Sequence, residues 1–337
     1  MKLKSLTLDK FTAFDHLELS FSKGINVFIG ANGTGKTHVM KVLYAACDIT
    51  RTEQSFASKL VGVFLPKDRQ IGRLARRQRG TVTSTILLRS DKTKLGLTFS
   101  SHTGVMGATG EGSWWKSRID AAYIPVKEML SNAPGFLALY EHRDVHFEAV
   151  YADILHRAYL PLPRGPIDAT SRKLLKILET ALEGRVTTSS EQFFLDTGKG
   201  ENLEFTLLAE GMRKLGLLWL LIRNGTLQRG SVQLWDEPET NLNPALYGTV
   251  IEMLLELQRM GVQIFLATHD YLILKELELR STKKDALSFF GLHRSPDTKQ
   301  VECHVSDSYA GLHPNMIADA FADVFTREVE KSFGGKI

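Results

Sequence analysis

Gly30-Ala-Asn-Gly-Thr-Gly-Lys36-Thr37 is the stretch on which the reading of this chain turns. On its N-terminal side, Ile25-Asn-Val-Phe-Ile29 is a short, mostly apolar run of the kind that forms a buried strand. On its C-terminal side, Thr37-His-Val-Met-Lys-Val-Leu-Tyr-Ala-Ala46 carries apolar residues at helical spacing. Strand, glycine loop and helix in that order describe a nucleotide phosphate-binding loop. The glycines let backbone N–H groups along Gly30, Ala31, Asn32, Gly33, Thr34 and Gly35 curl inward, and the helix start at Lys36, Thr37 and His38 adds its partial positive charge. Lys36 is then expected to reach the β- and γ-phosphates, and the Thr37 hydroxyl to meet Mg²⁺.

Such a loop needs acidic partners, and a distant segment supplies them. Val232-Gln-Leu-Trp-Asp236-Glu237-Pro238 reads as a strand ending in adjacent carboxylates before a Pro-bounded turn. Asp236 is expected to hold the magnesium, and Glu237, facing another way, to polarise a water aimed at the γ-phosphate. A further strand, Val262-Gln-Ile-Phe-Leu-Ala267, ends in Thr268-His269-Asp270, so His269 lies beyond the carboxyl end of a strand, where parallel α/β sheets place their chemistry.

With these segments in this order the chain resembles the ABC-type ATPases, and within them the SMC, RecF and OLD-like branch of ATP-binding proteins labelled AAA in bacterial genomes. Leu6-Thr-Leu-Asp-Lys-Phe11 and Leu17-Glu-Leu-Ser-Phe21 look like that branch's opening strands, and the likeness resumes from about Phe205. The resemblance implies an α/β fold: a P-loop NTPase head of the ABC-ATPase kind, with an antiparallel β side sheet and an inserted, mostly helical lobe. It implies ATP and Mg²⁺ as ligands and ATP hydrolysis as the activity, with the family roles falling on Lys36, Thr37, Asp236, Glu237 and His269.

It also implies a second copy of the chain, because heads of this class bind ATP between two subunits, each offering a signature at a helix N-terminus. The match here is Leu208-Ala209-Glu210-Gly211-Met212, which nominates Glu210 and Gly211. Ala209 stands where the family has serine and Met212 where it has a polar residue, so one hydrogen bond across the dimer is missing and weaker pairing is expected. Asn243 replaces a common aspartate or histidine. The magnesium-sensing glutamine has no match: Gln70 and Gln78 lie in a basic stretch, and Tyr123-Ile-Pro-Val-Lys127 offers none.

At 337 residues and 43% hydrophobic content the chain can bury one large core or two lobes. Cys47 and Cys303 are too few and too far apart for a disulfide scaffold, which points to a reducing, cytoplasmic setting. The opening Lys2-Leu3-Lys4-Ser5-Leu6 alternates like a strand rather than a signal peptide, and no apolar run approaches the roughly twenty residues of a membrane span.

A net charge of +4 makes no whole-chain case for nucleic acid. One local cluster stands out: Lys67, Arg69, Arg73, Arg76, Arg77 and Arg79, interrupted by Asp68, with Ile71 and Leu74 as an apolar stripe. It fits phosphate contacts, and equally a solvated face or a patch that meets an acidic subunit.

Thr81-Val-Thr-Ser-Thr-Ile-Leu-Leu88 and Leu95-Gly-Leu-Thr-Phe99 read as a hairpin of the side sheet, and 101–113 as a glycine-rich loop. The resulting division is 1–125 for the N-terminal half, 126–204 for the helical insert and 205–337 for the C-terminal half. Prolines interrupt the insert, so no coiled-coil arm is expected, and the aromatic residues near its start are expected in the core. A head without an effector domain implies a separate partner, and the resemblance suggests a nuclease or toxin controlled in bacterial antiviral defence. A RecF-like DNA-binding ATPase is the alternative. A transporter subunit fits less well, given the long gap between Lys36 and Asp236.

Overall fold

The computed structural model describes residues 2–333 except 103, 144 and 201; positions 334–337 of the expected C-terminal half lie outside the described residues. The chain opens with β1 (Leu3–Phe11), β2 (Phe14–Ser20) and β3 (Ile25–Gly30), followed by α1 (Lys36–Thr52) and α2 (Phe56–Phe64). Next come β4 (Thr83–Ser90), β5 (Lys94–Ser100), β6 (Gly104–Thr109), α3 (Glu111–Trp115) and β7 (Ala121–Ile124). The middle comprises α4 (Phe136–His142), α5 (Ala149–Ala158), α6 (Ala169–Leu182), β8 (Arg185–Ser189), β9 (Gln192–Asp196) and β10 (Asn202–Glu204). The remainder is α7 (Glu210–Arg223), β11 (Val232–Asp236), α8 (Tyr247–Met260), β12 (Gln263–Thr268), α9 (Tyr271–Arg280), β13 (Leu287–Arg294), β14 (Val301–Ser306) and α10 (Met316–Ser332).

A six-stranded sheet of order β14-β13-β3-β12-β11-β7 is the frame of the molecule, parallel throughout except for the edge strand β14. Its inner strands are apolar on both faces because both are covered. Ile25, Val27, Ile264, Leu266 and Trp235 point into a core shared with α5 to α8, while Phe28, Val232, Leu234, Phe265 and Ala267 point into a core shared with α1 and the side sheet. The side sheet, of order β2-β1-β4-β5-β6, is antiparallel. Helix α1 lies between the two sheets, buried along most of its length. Among the described residues no helix is long and apolar enough to cross a membrane.

Two segments differ from their expected form. Residues 104–109, expected as loop, form the edge strand β6, held by main-chain pairing to β5. Its small and polar residues carry little strand signal, since main-chain hydrogen bonds rather than side-chain burial hold it. The segment after α6, within the expected helical insert, folds as a three-stranded antiparallel sheet of order β10-β9-β8. Helices α5 and α6 pack into the same core as α7 and α8. Trp114, Tyr123 and Phe136 are buried as expected of core aromatics, whereas Phe147 is exposed.

The strand order positions the site. β12 lies between β3 and β11, with Thr268 level with Ile29 and Ala267 level with both Phe28 and Asp236. The glycine loop, the Thr268-His269 turn and the two carboxylates therefore leave the sheet at one edge, side by side.

Candidate nucleotide site

The glycine loop is clamped from both sides. Gly35 has φ +93°, and a side chain there would lie 2.4 Å from the ring tip of Phe14, a fully buried residue of β2. The Arg294 guanidinium on β13 donates to the Gly33 carbonyl at 3.0 Å. Gly33 itself, at φ +78°, has nothing within 4 Å of the place a Cβ would take, so the backbone is open to solvent there. Thr34 closes the turn internally, its hydroxyl donating to the Ala31 carbonyl at 2.8 Å, while Ala31 and Asn32 are exposed.

Lys36 is buried and its Nζ donates to the carbonyls of Gly30 at 2.6 Å and Ala31 at 3.2 Å. Burial lowers its pKa, and the nearby carboxylates Glu237, Asp236 and Glu239 push the other way. Thr37 lies near Asp236, and its hydroxyl favours the ionised carboxylate there. His38 points elsewhere: its ring packs 5.6 Å from that of Phe64 on α2, and its Nδ1 has no partner among the described residues. Burial, with the charge of Lys41, pushes the imidazole down to about 4, so His38 is neutral and its side chain belongs to the packing of α1 on α2.

The two adjacent carboxylates occupy different environments. Asp236 ends β11 in the protein interior, where burial raises its pKa against the hydroxyls of Thr37 and Tyr123. Glu237 turns out of the strand at φ +49°, its N–H donating to the Ala267 carbonyl at 2.9 Å. Its side chain is partly exposed, with Oε1 3.5 Å from His269 Nδ1 and Oε2 accepting from the Thr240 hydroxyl at 3.2 Å. The structure thus brings Lys36, Thr37, Asp236, Glu237 and His269 to one place.

Two further residues in this place are not singled out by the sequence. Glu239 is buried, and its Oε1 accepts from the Thr268 hydroxyl at 2.8 Å and from the His269 N–H at 3.1 Å, which fixes the turn that carries the histidine. Burial raises its pKa, and its Oε2 has no partner among the described residues. Its only sequence signal is a second acid just past Pro238. Tyr123 on β7 donates to Asp236 Oδ2 at 2.9 Å, and nothing in its local sequence announces that contact.

Glu210 and Gly211 make their contacts with the 240–242 loop of their own chain. Asn241 donates to the Glu210 carboxylate at 2.8 Å, and a Cβ on Gly211 would sit 2.7 Å from the Asn241 carbonyl. This intrachain contact is itself a reason for glycine at 211. Buried Lys214, one turn on, donates to the Thr240 carbonyl at 2.7 Å, so the start of α7 is tied to the loop that touches Glu237.

The basic segment folds as two short turns at Lys67–Arg69 and Ile71–Leu74, anchored by buried Ile71 and Leu74. Arg76 is partly buried, donates to the Ala13 carbonyl and lies 3.7 Å from Asp15, so it is engaged within its own chain while also lining the adjoining groove. Lys67, Arg69, Arg73, Arg77 and Arg79 are exposed. A groove of about 520 Å³ runs past Gln70, Arg73, Arg77, Gln78 and His102.

The solvent-open backbone at Gly33, a buried lysine whose hydrogen bonds among the described residues go to loop carbonyls, and the Thr37 hydroxyl near the Asp236 carboxylate suit a nucleotide with its magnesium. This fold and this clustering of residues define an ABC-type ATPase head of the SMC and RecF kind. Family models agree, one described as "AAA ATPase domain" matching residues 1–62. The chain belongs to the family described as "AAA domain, putative AbiEii toxin, Type IV TA system", whose model matches residues 63–275.

Among solved structures, the SMC head bound to the C-winged helix domain of ScpA matches with a TM-score of 0.57 and 11% identity, over 92% of this chain and 99% of that one. An SMC head with an extended coiled coil, bound to the C-terminal domain of ScpA derived from Pyrococcus furiosus, matches with a TM-score of 0.54 and 12% identity, over 97% of this chain and 99% of that one. At such identities the likeness is one of fold. The DNA replication and repair protein RecF of Streptococcus gordonii is 33% identical over 88 residues, 26% of this chain and 24% of that protein. RecF of Streptococcus pyogenes serotype M1 is 42% identical over 59 residues, 18% of this chain and 16% of that protein. The chain thus matches about a quarter or less of the length of these curated relatives.

Proposed function

We propose that the chain binds and hydrolyses ATP with Mg²⁺ at this site, pairs with a second copy through it, and switches a separate effector protein. The observation that carries this reading is the convergence of Lys36, Thr37, Asp236, Glu237 and His269 at one sheet edge. The loop N–H groups and Lys36 bind the phosphates, and Thr37 with Asp236 holds the metal. Bound Mg²⁺ supplies charge neutralisation on the phosphates. Glu237 takes a proton from the attacking water, with His269, 3.5 Å from its Oε1, orienting it on the open side.

The signature at Glu210–Gly211 serves the partner copy. Through Lys214 and Thr240 it is joined to the same loop as Glu237, a physical route from one copy's site to the other's. The family description names a putative toxin and a type IV toxin–antitoxin system, which supports a toxin system as the setting; a separate nuclease or toxin as the effector, and antiviral defence, are part of the proposal. The exposed arginines along the groove beside Gln70 favour a second reading, a RecF-like ATPase that binds DNA directly.

The test is a pair of variants of the full chain. Lys36→Ala is expected to abolish nucleotide binding. Glu237→Gln is expected to retain nucleotide, to lose hydrolysis by about 100-fold or more and to accumulate as a dimer or larger oligomer on light scattering. Hydrolysis by Glu237→Gln at the wild-type rate would overturn the catalytic assignment.

A further inference from the structure

Asp236 has a buried hydroxyl donor that no motif of the chain singles out. In the parallel pairing of β7 with β11, Tyr123 is level with Leu234. Side chains two apart share a face of a strand, so Tyr123 and Asp236 project to the same side, and the length of the tyrosine carries its hydroxyl forward to Asp236 Oδ2 at 2.9 Å. Both residues are almost wholly buried. The Tyr123 ring is backed by Tyr44 of α1, with centroids 5.5 Å apart.

Tyr44 is immobilised in turn. Its hydroxyl donates to Asp48 at 3.3 Å, and the Lys59 ammonium lies 5.4 Å from its ring centroid, itself 2.6 Å from Asp48 and 2.7 Å from Asp153. The donor aimed at Asp236 is therefore fixed by a packed aromatic pair and a buried ion cluster, and not by a mobile surface chain. A carboxylate that offers an oxygen to a cation binds best when its plane is set by a second donor behind it.

We propose that Tyr123 is a positioning residue that orients Asp236 toward the divalent cation. This rests on the reading of Asp236 as a magnesium ligand. Tyr123 acts through Asp236 and need not touch the nucleotide. It also gives the edge strand β7 a direct line to the metal side of the site, through a single hydrogen bond.

The experiment uses Tyr123→Phe in the full chain, which removes the hydroxyl and keeps the ring, with Asp236→Asn as its companion. Binding of a fluorescent ATP analogue is titrated with Mg²⁺ and repeated in EDTA, and thermal melting is recorded for each protein. The expected result is a Mg²⁺ requirement raised about 10- to 100-fold in Tyr123→Phe, with binding in EDTA unchanged and a melting temperature close to wild type. If Asp236→Asn loses the Mg²⁺ response while Tyr123→Phe matches wild type, the positioning role is wrong and the metal assignment stands. A Tyr123→Phe protein that weakens equally with and without Mg²⁺, or melts far below wild type, makes the tyrosine merely structural and overturns the proposal. A wild-type chain indifferent to Mg²⁺, or an Asp236→Asn variant with the full response, removes the metal assignment itself.

Discussion

Replacing Gly35 by alanine tests whether the loop is held by contact as well as by its own conformation. The residue sits at φ +93°, where an L side chain costs about 1–2 kcal/mol. The new methyl would also lie 2.4, 3.0 and 3.2 Å from three ring atoms of Phe14, which is fully buried and has nowhere to retreat. Overpacking of that kind costs about 1–3 kcal/mol, for a total of about 2–5 kcal/mol. For a chain of this length about 1.4 °C is lost per kcal/mol, so the melting temperature is expected to fall by about 3–7 °C if the loop stays in place. If the loop shifts to escape Phe14, the fall is smaller and nucleotide affinity is lost instead.

Gly33→Ala is the control. It has similar backbone strain at φ +78° but open space around the added methyl, so the conformational cost alone applies, about 1–2 kcal/mol and about 1–3 °C. Differential scanning calorimetry with and without nucleotide separates the outcomes. Wild-type melting and wild-type nucleotide affinity in Gly35→Ala, or a larger thermal loss in Gly33→Ala, would refute the reasoning.

Two other expectations follow from charges. Asp285 accepts from Arg259 through both carboxylate oxygens, at 2.8 and 2.7 Å, and also from Gln258 and Thr282; these hydrogen bonds hold its carboxyl down to about 2. A depressed carboxylate stabilises the fold above its ordinary pKa and loses that contribution as pH falls through the folded value, so Asp285→Asn should cost about 1–2 kcal/mol near neutral pH, discounted for the exposed side of Arg259, and the gap to wild type should narrow from about pH 5 down through about pH 2 in urea titrations. A gap that is constant with pH would deny the ion pair its role. If the exposed basic residues bind DNA, charge reversal at Arg73, Arg77 and Arg79 should weaken binding and flatten its salt dependence by about 0.9 in log–log slope for each phosphate no longer neutralised. Unchanged binding in a filter or anisotropy assay would remove that reading.

Much of the fold is legible in the sequence because its signals are contiguous. The apolar run 25–29 followed by the glycine loop announces β3 and α1, and the strands ending at Asp236 and at Thr268 are short apolar runs of the same kind. β6 is not legible, since its exposed residues have no burial to record in the sequence and it exists through pairing with β5. Position alone assigns His38 to the loop, and only the packing of α2 against α1 shows where its ring goes. Arg76 counts in the sequence as one of a basic run, and the 12–15 turn that engages it lies more than sixty positions earlier in the chain.

The sequence by itself determined the chemistry available, because a phosphate loop and a pair of acids at a strand end are each written in adjacent residues whose spacing is set by local backbone geometry. Tertiary structure alone decided which of those groups meet. Placing β12 between β3 and β11 sets Thr268 beside the loop strand and lets Glu239 hold the histidine turn, and pairing β7 with β11 delivers the Tyr123 hydroxyl to Asp236. These are contacts between residues far apart in the chain. Their partners are chosen by burial of both faces of one sheet, a property of the assembled core that no single segment carries.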